Sequence, residues 1–218
     1  MNKYIKEKYF IFLIFLILYF SLLIGLYLNE DNLGGAAHDS MYHFKISEKF
    51  SENFIKTFNE FGNLEQTRNS PIFWIFLSFL SKFFSYKKIQ FLNTILIIPF
   101  SYFFYKCLKM KYEGISSLHL AFLSSFLFLS PSLRSLIIWP YSLSWGLFFF
   151  VISIYFFLKY EKNLNLANSL KIISSLVIAS YIYPSFAVFY IFYIYKIFIS
   201  NPNKNTFILI IIFSLLMS

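Results

Sequence analysis

Asp39 stands between two histidines in the run Gly34-Gly35-Ala36-Ala37-His38-Asp39-Ser40-Met41-Tyr42-His43, and that grouping is where the chain has the means for chemistry. A carboxylate in this position can act as general base toward an acceptor hydroxyl, which makes Asp39 the candidate catalytic residue. On a helix, Asp39 and His43 are four residues apart and share a face, so both can address one ligand. The plainer reading of Asp39 is a helix N-cap, a role that suits Asp after a glycine turn. Ten carboxylates occur in 218 residues, and seven of them (Glu30, Asp31, Asp39, Glu48, Glu52, Glu60 and Glu65) fall in this one stretch.

Other side chains extend the candidate site. His38, Tyr42 and His43 surround Asp39 as substrate-binding candidates. With Asp31 the two histidines offer donors to a divalent cation, but no spacing as specific as His-Glu-x-x-His is present. The sequence therefore predicts no cofactor, with a divalent metal as the alternative. Arg134, one of two arginines, suits a phosphate because a planar guanidinium grips it through two hydrogen bonds. An interfacial Arg reaching lipid headgroups is the competing account. Arg68 and Lys45 are lesser candidates of the same kind. Trp74, Trp139 and Trp145, with Tyr42 and Tyr141, have the rings to stack on a sugar, although aromatic belts at bilayer interfaces use the same residues. His119 lies in an apolar run and reads as an interhelical contact.

The elements that must position these residues are membrane helices. Hydrophobic residues make up 58% and charged residues 13%, and the 32 Phe and 17 Tyr exceed what a soluble domain of this size buries around one core. Residues 9 to 28 carry no charge over a length sufficient to cross roughly 30 Å of hydrocarbon. They read as an uncleaved anchor rather than a signal peptide, whose apolar region is shorter. Later apolar runs cover about 89 to 105, 115 to 130, 140 to 158, 169 to 183 and 185 to 200, and a last one begins at Thr206 and is cut short by Ser218. The chain therefore reads as truncated. The single cysteine, Cys107, has no internal disulfide partner. The net charge of +9 does not call for nucleic acid, because the lysines gather at the ends of apolar runs, where topology explains them.

The segment 71 to 86 is apolar but short and holds Lys82. If it does not span, Lys3, Lys6, Lys8, Lys106, Lys109, Lys111, Lys159, Lys162, Lys171, Lys196 and Lys204 all fall on one side, and Arg134 alone interrupts the short loops of the other. The expected fold is therefore all-α and polytopic, with about six or seven transmembrane helices. It has a cytoplasmic N-terminus (1 to 8), a first transmembrane helix (9 to 28), an outer loop (29 to 88), and further transmembrane helices (89 to 218) in a single module. Within the loop, Tyr42, Ile46, Phe50, Phe54, Phe58 and Phe61 recur every three or four residues, which predicts one amphipathic helix lying flat on the membrane. Segment 71 to 86 should lie along or dip into the same interface.

Four landmarks then stand in order: an anchor helix, Asp39 with Tyr42 in the outer loop, Ser70-Pro71-Ile72-Phe73-Trp74, and Leu129-Ser130-Pro131 at the outer end of a later helix. This order resembles the GT-C superfamily of membrane glycosyltransferases, which includes protein O-mannosyltransferases and lipid A aminoarabinose transferases. The resemblance covers most of the chain as a pattern. It implies transfer of a sugar from a polyprenyl-phosphate donor to a glycan, lipid or protein acceptor on the outer face of the membrane, here expected to be a bacterial inner membrane. It also implies an essential acid in the first outer loop, which Asp39 matches. Ser40 replaces the acidic neighbour usual in that family, the loop at 131 to 141 has no second acid, and Tyr183 stands where a Lys is often found. The rival expectations are a non-catalytic polytopic protein, such as a transporter or flippase subunit, and an inactive or truncated member of the same family.

Overall fold

In a bilayer, backbone groups must satisfy one another within a segment, so long apolar runs fold as helices. The computed structural model of the chain describes residues 3–63 and 70–200, and among these it contains helices and no strand. In order they are α1 (Lys3–Tyr27), α2 (Ala36–Glu52), α3 (Phe54–Glu60), α4 (Ile72–Ser81), α5 (Tyr86–Ile95), α6 (Ile97–Lys111), α7 (Ser117–Leu129), α8 (Pro131–Ile138), α9 (Ser142–Lys162), α10 (Leu166–Ile182) and α11 (Val188–Ser200). Arg68, Glu65 and the apolar run from Thr206 lie outside the described residues.

Three helical segments are long and apolar enough to cross a membrane: Tyr9–Tyr27, Tyr86–Lys111 and Ser142–Lys162. A fourth is reached if α7 and α8, bent by 66°, count as one broken span. Among the described residues the chain is thus all-helical and of membrane-protein character, with three or four candidate spans, against the six or seven expected. Helix breaks account for much of the difference. Pro131 opens α8 straight after α7, and Pro184 opens a 3-10 turn (Pro184–Ala187) between α10 and α11, leaving shorter helices on both sides of each proline.

The C-terminal end of α1 organises the end of the bundle that carries Asp39. Asn29 adopts a left-handed φ of 55°, Asn29 N–H donates to Leu26 C=O (3.2 Å), and Glu30 N–H donates back to Gly25 C=O (2.8 Å). This is a Schellman motif, with Asn in the position glycine usually takes. It folds Glu30 back over α1, where its carboxylate meets Arg134 from α8 in a two-pronged ion pair, Nε to Oε1 at 2.8 Å and Nη2 to Oε2 at 2.6 Å. Gly25 makes room for the pair: a Cβ there would collide with Glu30 Oε2 and come within 2.8 Å of Arg134 Nη2. Trp139, just after α8, donates its indole N–H to the Glu30 carbonyl at 2.9 Å, and Ser135 Oγ accepts from Asn32 N–H at 2.8 Å. The C-terminal end of α1 and the short α8 are thereby locked together.

The expected single amphipathic helix in the outer loop is two helices. Asn53 breaks it: its backbone is extended (φ −148°, ψ 90°), and its side chain caps α3 by accepting from Lys56 N–H at 3.1 Å. The apolar stripe splits at that point. Ile46 and Phe50 on α2 are buried against Trp74 of α4, whereas Phe54 and Phe58 on α3 stay exposed. The first half of the stripe thus covers a neighbouring helix, and only the second half remains for lipid. Helix α4 has ten residues, about 15 Å at the usual rise and half the thickness of the hydrocarbon layer.

Arg134→Ala is expected to destabilise the detergent-solubilised protein by about 3 kcal/mol, because it leaves the largely buried Glu30 carboxylate with only the Asn32 side-chain amide to answer its charge. A double-mutant cycle with Glu30→Ala, read by thermal unfolding, should show strong coupling; a coupling near zero would mean that the pair holds nothing together. Hydrogen bonding to Arg134 outweighs the opposing effect of burial and holds Glu30 below its ordinary value of 4.5. The stability it contributes is therefore present above pH 4.5 and is lost as pH falls through the lower folded value.

Candidate functional site

The Asp39 region is built on the first turn of α2, and the residue that caps this helix is Asp31. Its two carboxylate oxygens accept from the backbone N–H groups of Ala36 (3.2 Å) and Ala37 (3.1 Å). Burial alone would raise the Asp31 pKa, but the amides of Ala37, Gly35, Ala36 and Gly34 together hold it below the ordinary carboxylate value. A negative charge at a helix N-terminus also meets the positive end of the helix dipole. The N-cap position itself is Gly35, which has no side chain to offer. Asp39 is not the cap. It lies one turn further on, its own N–H bonded to Gly35 C=O at 3.0 Å, with a side chain that is 54% exposed.

Beneath Asp39 the helix is anchored. Ser40 is buried and shares a hydrogen bond with the Tyr86 hydroxyl at 2.8 Å, tying α2 to the start of α5. His43, four residues after Asp39, is buried at 8% exposure in a cage of rings: Phe73 at 5.7 Å, Trp74 at 5.2 Å and Tyr141 at 5.2 Å between centroids. Its Nδ1 has no hydrogen-bond partner, and neither has the Trp74 indole nitrogen. Burial pushes the imidazole pKa down to about 4, with the charge of Asp39 pulling partly the other way. The same carboxylate, after burial, raises the Tyr141 pKa, and Tyr183 adds to that effect. Asp39 therefore lies within electrostatic reach of His43 and Tyr141, and Tyr183 within reach of Tyr141.

The structure brings some candidates together and separates others. His38 is beside Asp39, with Nδ1 3.8 Å from Oδ1, and its side chain is 89% exposed. Tyr42 packs against the cluster of Ile46, Phe50 and Trp74. Trp74 is 1% exposed and offers no open face to a sugar. Trp139 and Trp145 are likewise turned inward, the first to the Glu30 carbonyl and the second to Asn93 Oδ1 at 2.8 Å. Arg134 has no donor to spare. Besides the two bonds to Glu30, it gives Nη1–H to Ser21 Oγ and Phe128 C=O, each at 3.3 Å, and Nη2–H to Ser21 C=O at 3.1 Å. A guanidinium has five N–H donors, and all five are used. Arg68 lies outside the described residues. Asp31, His38 and His43 point to backbone amides, solvent and aromatic rings respectively, and no group of three or more potential metal ligands converges among the described residues.

His119 differs from the expected interhelical contact. It sits exposed in the first turn of α7, with Nδ1 2.5 Å from the capping Ser116 Oγ. Sequence reasoning also missed Glu30 as the partner of Arg134, Asp31 as the cap, and the Ser40–Tyr86 bond. Only the first had a signal: Glu30 follows an apolar run, and so does Arg134, so both arrive at the same end of the bundle. The arrangement as a whole is an exposed carboxylate standing on a rigid, neutral aromatic base. Comparisons with protein-family profiles, with curated proteins and with solved structures find no match to this chain.

His43 gives the base a measurable acid sensitivity. In the unfolded chain its imidazole titrates near 6.5, whereas in the folded protein it resists protonation down to about 4. The unfolded chain thus binds the extra proton first, and stability falls as pH drops from 6.5 toward 4, by on the order of 3 kcal/mol in all. His43→Phe is expected to keep the ring packing and flatten this dependence. Thermal unfolding between pH 6.5 and 4.5, above the range where Glu30 takes up its proton, reads the difference. An unchanged slope would place the titrating group elsewhere.

Proposed function

We propose that the chain is a GT-C-type membrane glycosyltransferase that moves a sugar from a polyprenyl-phosphate donor to an acceptor hydroxyl, with Asp39 as the general base. The observation that carries this reading is the setting of Asp39. It is an exposed carboxylate on the first helix after the first membrane span, at the end of the bundle away from the lysines that close α6 and α9. Its backbone is fixed by the Asp31 cap, the Ser40–Tyr86 bond and the His43 ring cage, so that the carboxylate is free while its support is rigid. Such a support holds a base in place without the cost of reorganisation during reaction.

In the proposed step Asp39 takes the proton of the acceptor hydroxyl as its oxygen bonds to the anomeric carbon. The bond from that carbon to the phosphate oxygen breaks, and the electron pair leaves with the polyprenyl phosphate. Tyr141, half-buried and within electrostatic reach of Asp39, and the half-buried Tyr183 offer rings to the sugar in place of the buried Trp74 and Trp139. Arg134 is committed to Glu30, and its part is to hold α8 against α1. Cationic help for the departing phosphate then falls to Lys87 and Lys88, exposed in the first turn of α5 and directly following the Tyr86 that bonds Ser40. The site, on this reading, faces the outer side of a bacterial inner membrane, with the N-terminus in the cytoplasm, consistent with lysines at the opposite ends of the helices.

The test is transfer by membranes containing the protein, supplied with a panel of polyprenyl-phosphate sugars. Asp39→Asn is expected to reduce turnover by about 100-fold or more, the usual worth of a general base, without altering thermal stability, because the side chain is exposed. Lys87→Ala with Lys88→Ala should weaken donor binding while leaving the fold intact. Transfer by Asp39→Asn within threefold of the parent protein would overturn the assignment of the base. A parent protein inactive on every donor in the panel would favour the non-catalytic polytopic reading.

A further inference from the structure

Away from Asp39, α1 and α6 stand apart and leave a groove of about 470 Å³ between them, open to the side of the bundle. Phe12, Leu16 and Tyr19 form one wall, Ile98 and Tyr102 the other, and Phe128 of α7 the floor. Along α1 the lined stretch from Ile11 to Tyr19 runs for about 12 Å at the helical rise. The groove lies between two of the segments that are long and apolar enough to cross a membrane, so its open side faces lipid.

Two polar groups break the apolar lining, and they are ordered along α6. Lys106 stands at the end nearest the lysines that finish the helix, Lys109 and Lys111. Its ammonium lies 5.3 Å over the Tyr102 ring and forms no ion pair with a carboxylate among the described residues. Ser101, five residues earlier and so about 7.5 Å further into the groove, is 3% exposed, and its hydroxyl has no hydrogen-bond partner. An unsatisfied hydroxyl inside a bilayer is costly, and it is relieved by an acceptor on whatever fills the groove. A cation at the mouth, a lone donor about one headgroup's depth below it and an apolar trough beyond correspond to phosphate, ester carbonyl and acyl chain in that order.

We infer that the groove between α1 and α6 binds one anionic glycerophospholipid from the leaflet at the lysine-rich end of the bundle. Lys106 meets the phosphate, Ser101 donates to an ester carbonyl, and Phe12, Phe128 and their neighbours cover the chain. Basic pockets between transmembrane helices select anionic headgroups in this way. The inference is independent of the proposed glycosyl transfer, since it concerns another face and the opposite end of the bundle. It also separates this lipid from a polyprenyl phosphate, which has no ester carbonyl for Ser101.

The experiment places a benzophenone amino acid at Phe12 in the full chain. The protein is reconstituted in vesicles of equal phosphatidylglycerol and phosphatidylcholine, irradiated, and its adducts are identified by mass. Phosphatidylglycerol adducts are expected to exceed phosphatidylcholine adducts at least threefold. Lys106→Gln should bring the ratio to about one, and Lys109→Gln should leave it unchanged. Ser101→Ala should lower the yield with both lipids. Equal labelling in the parent protein, or a preference that survives Lys106→Gln, would overturn the proposal. So would adducts to a second copy or to residues 201 to 218 of the same chain, or displacement of phosphatidylglycerol by an equimolar polyprenyl phosphate.

Discussion

The end of this protein that carries Asp39 depends on one ion pair. Arg134 and Glu30 are separated by 104 residues in sequence, and their union fixes where α8 sits on α1. Charges this enclosed, at 13% and 19% exposure, are tolerable only when every donor and acceptor is matched. Arg134 meets that condition with five hydrogen bonds, and no lysine could, because three donors on a point charge cannot reproduce a planar fork. The backbone places the two side chains for this pair. Asn29 turns left-handed to end α1, Glu30 folds back on the helix, and Gly25 leaves the space in which the carboxylate and guanidinium lie.

From this latch the rest of that end follows in sequence. Asn32 and Trp139 add hydrogen bonds across the same seam, and Asp31, next to Glu30, caps α2 through Ala36 and Ala37. The start of α2 is thereby set relative to α1, and with it Asp39. Helix α2 then lies over α4 through Ile46, Phe50 and Trp74, and over the start of α5 through Ser40 and Tyr86. Two adjacent acids, Glu30 and Asp31, thus serve different structural ends, while Asp39, eight residues on, is left uncommitted. That division is what singles Asp39 out: among these three carboxylates it alone is free of a strong partner.

Burial sets the character of the groups around Asp39 more than charge does. His43 is held neutral by its ring cage, so it contributes no positive charge next to the carboxylate at neutral pH. Tyr141 is shifted upward for the same reason, so it too stays neutral. Asp39 therefore stands over neutral aromatic groups, while Lys87 and Lys88 are exposed at the start of α5.

The helices and their apolar faces were legible in the sequence because a segment in lipid satisfies its own backbone, and length and hydropathy then suffice to find it. The runs at 9 to 28, 89 to 105 and 140 to 158 each became part of a long helix. The helix starting near Asp39, with Asp39 and His43 on successive turns, was legible for a similar local reason, the glycine pair and the three- and four-residue spacing. What no local pattern contained was the partner of each polar group. The stripe from Tyr42 to Phe61 gave no sign that Asn53 would divide it, since capping depends on a backbone angle as well as on residue type. Arg134 read equally as a phosphate ligand or a headgroup contact, and Trp74 as a sugar platform, until packing committed one to Glu30 and enclosed the other. The sequence by itself determined that this is a helical membrane protein with most of its acids at one end. Tertiary structure decided which charges are spent and which remain, because a buried charge is satisfied by atoms brought within 3 Å by folding, and those atoms come from distant parts of the chain.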